Sequence, residues 1–344
     1  MFASRREAKA PPLTADRIVQ LAYAFRETKA LLSAVELGVF AALAEGPAQL
    51  DILTERIGIH KRGARDFLDA LVALGLIDRD ADERYANTPS ADLYLVEGRP
   101  TYIGGLMHHL NTHEYPDWNS LTHVLQTGEP QNAARAAGLY PTLYEDPASL
   151  EKFVAAMTGG SLLVAKELAG RFSWQQHQIL IDVGSAEGCL PVQVAKSHAH
   201  ITGGGFDLPA VGPAFDSYVL ANELSHRLRF YPGDFLTDPL PAGDVLVMGR
   251  VLHNWDLPTK RMMLRKAYEA LPTGGALIVY ERLIDDERRT GASGLLASLN
   301  MLVMTSGGFD YSGADCIVWM REAGFRDMRV EPLTPDQSMI VGIK

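Results

Sequence analysis

The chain has 344 residues, 47% of them hydrophobic and 22% charged, with a formal net charge of -10 at pH 7. That length carries a sizeable core and makes two domains the natural expectation, and the composition argues against long disordered stretches. The acidic balance disfavours a broad nucleic-acid or anionic-membrane footprint, which needs clustered Lys and Arg, and favours a small-molecule partner.

Cys189 and Cys316 are the only cysteines and lie far apart in sequence, which excludes a disulfide framework or a four-cysteine zinc site and fits a reducing compartment. The N-terminal MFASRREAKAPPL has no apolar core, and LLSAVELGVFAAL at 31–43 is short and broken by Glu36. Neither reads as a signal or a membrane span, so the expected location is the cytoplasm.

Residues 14–46 repeat apolar positions (Leu21, Phe25, Leu32, Val35, Phe40) at about one helical turn and read as two packed helices. Next, 49–80 reads as helix, turn, helix and strand, with a tight polar turn at 78–84 and a return through RYANT. This is a winged-helix-like succession whose second helix starts near His60. Residues 1–90 hold 12 Lys and Arg against 13 Asp and Glu, a net of -1, and the candidate recognition helix mixes Lys61, Arg62 and Arg65 with Asp66 and Asp69. DNA readers carry a one-signed stripe there, so a scaffold or dimerisation role is expected instead.

Residues 100–174 read as a helical connector that walls a pocket. Within it, MHHLNTHEY at 107–115 puts His109 and His113 four apart, but the HExxH pattern is absent and no metal is expected. His113 and Tyr144 are instead candidate acceptor contacts.

From 178 the runs QILIDVG, TGGGFDL, RLRFYPGD, DVLVMGR and ALIVYER alternate with helical stretches, which predicts βαβ units and a mostly parallel sheet. The expected divisions are 1–99, 100–174 and 175–344.

Ligands in such sheets bind at the C-terminal ends of strands, and the polar residues collect there. IDVGSAEG carries Gly184 and Gly188 in a turn into a helix, where bare backbone and unpaired N–H groups approach a ligand. Asp207 ends the next strand 23 residues after Gly184, where an acid can accept both hydroxyls of a ribose. Ala186 fills the second glycine slot of G-x-G-x-x-G, and no tyrosine stands four residues before a lysine, so a nicotinamide dehydrogenase fits poorly. The third strand ends in Asp234 and Phe235, an acid and a ring suited to a nucleobase. The fourth is followed by VLHNWD, with His253 at its centre.

Together with GGFDYSGADCIVWMREAGF, these residues resemble the class I S-adenosylmethionine-dependent small-molecule O-methyltransferases, such as plant caffeic-acid and bacterial phenazine and polyketide enzymes. The resemblance covers nearly the whole chain. It implies an α/β, Rossmann-like catalytic domain preceded by a mainly helical, winged-helix-like dimerisation domain, and a homodimer. By the same resemblance His253 is the general base, flanked by Glu281 and Asp310. Gly184, Asp207, Asp234, Phe235, Trp255 and Ser161 contact S-adenosylmethionine, and Met157 packs on the acceptor.

Three departures stand out: Asn254 where the plant enzymes have an aspartate, Gly249 where they have a lysine, and Asp310 in place of a glutamate. Asn254 is therefore a candidate acceptor contact. The chemistry is consistent with the assignment, because a phenol with a pKa of about 10 is a poor nucleophile at neutral pH until a base removes its proton. Two rivals remain at this level: methyl transfer to a thioether, which needs positioning but no base, and a ligand-sensing DNA-binding protein.

Overall fold

A computed structural model describes residues 14–130 and 146–344, and the chain divides into two units between Glu97 and Gly98. Tyr144 lies outside the described residues.

In the first unit the helices Asp16–Glu36 and Val39–Ala44 are separated at Gly38, whose φ of 71° is a left-handed conformation that glycine adopts without steric cost. The helices Leu50–Arg56 and Lys61–Ala73 follow, the second capped by the His60 side chain accepting from the Arg62 N–H. Strands β1 (Ala48–Gln49), β2 (Ile77–Arg79) and β3 (Arg84–Asn87) form an antiparallel sheet in the order β1-β3-β2. The Asp80 carboxylate fixes the hairpin turn by accepting from the backbone of Asp82 and Arg84.

Phe40, Leu53, Leu68, Leu71, Ile77 and Tyr85 fill this core, each fully buried side chain contributing about 1.5–3 kcal/mol of transfer free energy. Two charges of the candidate recognition helix pair within their own unit: Asp69 takes Arg79 and the Tyr85 hydroxyl at 2.8 and 2.7 Å, and the exposed Arg65 approaches Glu83 at 3.9 Å. By contrast, Ile18, Leu21 and Phe25 of the first helix are more than half exposed, an apolar stripe that a single chain leaves uncovered.

The second unit is built on a seven-stranded sheet in the order β6-β5-β4-β7-β8-β10-β9. Its strands are β4 (Ile179–Val183), β5 (Thr202–Asp207), β6 (Leu228–Pro232), β7 (Val245–Gly249), β8 (Ala276–Glu281), β9 (Arg326–Pro332) and β10 (Ser338–Ile343). The five runs read from the sequence are β4 to β8, and they pair in parallel. β9 and β10 close the sheet antiparallel, which the strand–helix alternation did not announce. Both faces are covered, one core built on Ile181, Met248, Leu264 and Met320, the other on Leu168, Trp174, Val247 and Ile278. Chain order reverses between β4 and its neighbours β5 and β7, and a crevice opens at such a switch point beyond the strands' C-terminal ends.

The connector residues belong to this unit. They include the helix Gly104–His109, a π-helical turn Leu110–Glu114 and the long helix Pro147–Arg171. Residues 149–171 are long and apolar enough to cross a membrane by length and composition, and the helix packs on Gly104–His109 and on Cys189–Ser197.

Candidate active site

β7 ends in Gly249, and the chain leaves it through Arg250, a non-glycine residue at φ 55°. That conformation costs an L-residue roughly 1–2 kcal/mol. It is held by the Arg250 N–H donating to the Tyr280 carbonyl at 3.0 Å. The turn swings Leu252–Asn254 into a short 3-10 helix, which buries His253 at the strand end.

Two acids meet its ring from separate elements. Asp310 Oδ1 lies 3.3 Å from Nδ1, and Glu281 Oε2, from the last residue of β8, lies 3.6 Å away. Glu281 Oε1 also accepts the His253 backbone N–H at 3.3 Å, so one carboxylate grips both backbone and ring. With both acids on Nδ1, the Nε2 edge is left for a reacting group.

Glu281 Oε2 and Asp310 Oδ2 are buried with no hydrogen-bond donor. Uncompensated acceptors in a low-dielectric site favour a cation beside them. Burial alone would lower the His253 pKa, but Glu281 and Asp310 overcome it and raise the imidazole above its ordinary value, with Arg250 opposing. The Glu281 carboxyl is itself raised by burial, with the imidazole pulling the other way. Such a ring takes a proton readily and holds it.

The residues expected to hold the cofactor line neighbouring strand ends. Gly184 has φ 77°, and a Cβ there would lie 2.7 Å from Val251 Cγ2, so the glycine turn packs directly on the loop carrying His253. Asp207 is buried at the end of β5, its oxygens accepting from the Ala186 N–H at 2.9 Å and the Leu208 N–H at 2.8 Å. It therefore braces the glycine turn, and the cap of the following helical turn is Leu208. Burial pushes its carboxyl up to about 6, against those two N–H bonds.

Asp234 spends one oxygen on the Leu236 N–H, an Asx turn that aims the loop after β6. Phe235 and Trp255 meet edge to face, ring centroids 5.7 Å apart, which joins that loop to the His253 loop as one aromatic wall. A left-handed glycine cradle, a buried acid with spare lone pairs and an aromatic wall suit a nucleoside-bearing cofactor such as S-adenosylmethionine.

The remaining expectations are placed less centrally. Ser161 and Met157 are half-buried on the long connector helix, Ser161 next to Gly160, where a Cβ would lie 3.5 Å from an Arg250 guanidinium nitrogen. The Asn254 amide nitrogen donates to the Arg250 and Val251 carbonyls, so that end of the side chain stabilises its own turn. His113 stacks on His109 at 4.9 Å, and His109 Nε2 lies 3.8 Å from Glu114. Gly249 has a steric reason: a Cβ there would lie 1.9 Å from the buried Tyr280 ring, so a lysine would require that ring to move.

Among the described residues, the His, Cys, Asp and Glu group with ligand atoms close enough for a cation, within 4.8 Å of one another, is His253, Glu281 and Asp310 itself.

Sequence reading missed Glu114, Arg250 and Lys260. Glu114 is a half-buried carboxyl whose pKa is raised by burial, against the opposing pull of Arg250, Arg282 and His253, which puts it on the His253 side of the connector. Lys260 is wholly buried. Its signal was present, because it shares a helical face with Met263, Leu264 and Ala267 at i+3, i+4 and i+7.

Comparison with known proteins shows the family of the chain. Residues 118–326 match the O-methyltransferase domain and residues 19–97 the O-methyltransferase dimerisation domain. The chain is 41% identical to the tetracenomycin polyketide synthesis 8-O-methyl transferase TcmO of Streptomyces glaucescens, over 95% of this chain and 96% of that one. It is 42% identical to the N,N-dimethyltransferase OxyT of Streptomyces rimosus, over 94% of each. Human N-acetylserotonin methyltransferase in complex with S-adenosylmethionine shares the fold, with a TM-score of 0.89 and 24% identity over 98% of this chain and 99% of that one. The chain belongs to the S-adenosylmethionine-dependent O-methyltransferase family and carries both its dimerisation and its methyltransferase domain.

Proposed function

We propose that the enzyme methylates a phenolic hydroxyl of a small polycyclic aromatic metabolite, with His253 as general base. The observation that carries this reading is the His253 ring clamped at Nδ1 by two buried carboxylates, 3.3 and 3.6 Å away.

When bound, S-adenosylmethionine supplies an electrophilic sulfonium methyl. His253 Nε2 would take the hydroxyl proton as the oxygen–carbon bond forms and the methyl carbon–sulfur bond breaks, its electron pair staying on sulfur to leave S-adenosylhomocysteine, and Glu281 and Asp310 would stabilise the imidazolium that results. After transfer the proton leaves His253 for solvent. Asp207 and the glycine turn hold the nucleoside, and the Phe235–Trp255 wall excludes water from it. The rest of the rate enhancement comes from holding oxygen, carbon and sulfur in line.

Two relatives support the acceptor class: TcmO, and the 3-hydroxy-5-methyl-1-naphthoate 3-O-methyltransferase of Streptomyces sahachiroi, 33% identical over 91% of this chain and 90% of that one. OxyT, named for methyl transfer to nitrogen, supports an amine as the second reading. A thioether has no proton to lose and leaves the clamped imidazole unused. The exposed stripe Ile18, Leu21 and Phe25 on the dimerisation domain supports a homodimer, which light scattering tests. The acidic chain and the mixed charge of Lys61–Ala73, where Asp66 and Asp69 stand among Lys61, Arg62 and Arg65, speak against a nucleic-acid partner. A cytoplasmic location fits the reduced cysteines.

The test is a panel of polycyclic phenols, aryl amines and thioethers with methyl-labelled S-adenosylmethionine, the products read by mass spectrometry and NMR. A labelled methoxy carbon is expected; label confined to nitrogen or sulfur would overturn the oxygen assignment.

A further inference from the structure

Lys260 lies in the first turn of the helix Leu257–Ala270, whose N-cap Asp256 accepts from the Thr259 N–H. Its side chain points away from water into the protein, with 0% exposure. Burying an ammonium is costly, so such groups are retained where every donor has a partner.

Here Nζ donates to the Trp255 carbonyl at 2.5 Å and to the Phe309 carbonyl at 2.9 Å, and lies 3.2 Å from the centre of the Phe309 ring. Trp255 is two residues beyond His253. The Phe309 carbonyl is bonded directly to the backbone nitrogen of Asp310. One ammonium thus ties the loop of the imidazole to the loop of the acid that faces it.

A second observation shows the same two loops in backbone contact. A Cβ on Gly308 would lie 2.7 Å from the His253 carbonyl oxygen and 2.8 Å from the Asn254 carbonyl carbon, and one on Gly307 would lie 3.1 Å from Asp256 Cβ. The loops touch at the glycines, and the ammonium closes them from the side.

We propose that Lys260 is a positioning residue of the methyl transfer, which sets the distance between Asp310 and His253 Nδ1 by stapling the Trp255 and Phe309 carbonyls. The inference rests on the reading of His253 as the base. The ammonium's situation agrees with it: burial pushes Lys260 down to about 8, while Glu281, Asp310 and Asp256 act to keep it charged. At neutral pH it remains an ammonium, with N–H bonds to both carbonyls.

The test needs no acceptor. The His253 imidazole is titrated by NMR in the protein saturated with S-adenosylhomocysteine, its resonance assigned by its loss in H253Q, for wild type, K260M and K260Q. In K260M the staple is gone, Asp310 is no longer held at Nδ1, and the His253 midpoint is expected to fall by about one unit. K260Q keeps a donor and is expected to fall by less.

A purely electrostatic role for Lys260 would raise the midpoint, because a cation has been removed, and a purely structural role would leave it unmoved; either result overturns the proposal. If K260M does not fold, F309L gives the same readout. It keeps both carbonyls and removes only the ring beneath the ammonium, so it tests the seat of the ammonium, while K260Q, which removes the charge and leaves a single shorter donor, carries the test of the staple: a fall is expected and no fall overturns the proposal. Calorimetric binding of S-adenosylhomocysteine to each variant separates this failure from failure of the methyltransferase site itself.

Discussion

Replacing Glu281 by glutamine removes one of the two charges on His253 while keeping the shape of the side chain. Glu281 Oε2 lies 3.6 Å from Nδ1 in a buried site. At an effective dielectric of about 20 the full ion pair amounts to about 4–5 kcal/mol. Desolvation offsets much of that, and an opposite charge at this range typically shifts a pKa by about 1–3 units. Burial lowers the His253 pKa while Glu281 and then Asp310 raise it, so E281Q moves it downward.

The base works only as neutral imidazole, so kcat rises with pH through the His253 pKa and then levels. In E281Q that acid limb is expected about one unit or more lower, with the plateau reduced about 10- to 100-fold because the imidazolium loses a stabilising anion. The assay is single-turnover methyl transfer from pH 5 to 9, roughly the range over which histidine titrates. An acid limb that stays in place would refute the coupling of Glu281 to the base.

Asp207→Ala removes the carboxylate that holds the Ala186 and Leu208 N–H groups, and it is expected to weaken S-adenosylmethionine binding at least about 100-fold by calorimetry, each charge-assisted bond being worth about 1.5–3 kcal/mol. Ala186 has φ 48°, so Ala186→Gly relieves left-handed strain and is expected to stabilise the protein by about 1 kcal/mol in urea unfolding. Burial and the nearby Asp207 push the Asp182 carboxyl up to about 8. Between its unfolded value of about 4 and its folded value the native state binds the extra proton, so stability from this group is full below that window and is lost as pH rises through it. Asp182→Asn is expected to flatten that slope in melts from pH 4 to 9.

Much of this site was legible because strand ends in a parallel sheet are fixed by chain pattern. QILIDVG and DVLVMGR are apolar runs too short for helices, so the polar residues after them had to fall at the crevice. Asp207 and His253 were found that way. β9 escaped because RDMRVEP is mostly exposed at the sheet edge and lacks a buried strand's apolar run.

Asn254 was read as an acceptor contact; its amide nitrogen bonds carbonyls of its own turn, a local bond that spacing does not reveal. Lys260 was passed over because a lysine on a helix reads as solvated. Only its company on the apolar face marks it as buried.

The most direct test of the central claim is to compare wild type with His253→Gln for cofactor affinity and for single-turnover methyl transfer to the acceptor that the phenol panel identifies. If His253 is the base, H253Q binds S-adenosylmethionine about as tightly as wild type and loses transfer by about 100-fold or more. Tight binding with undiminished transfer would contradict the account and return the site to positioning without a base.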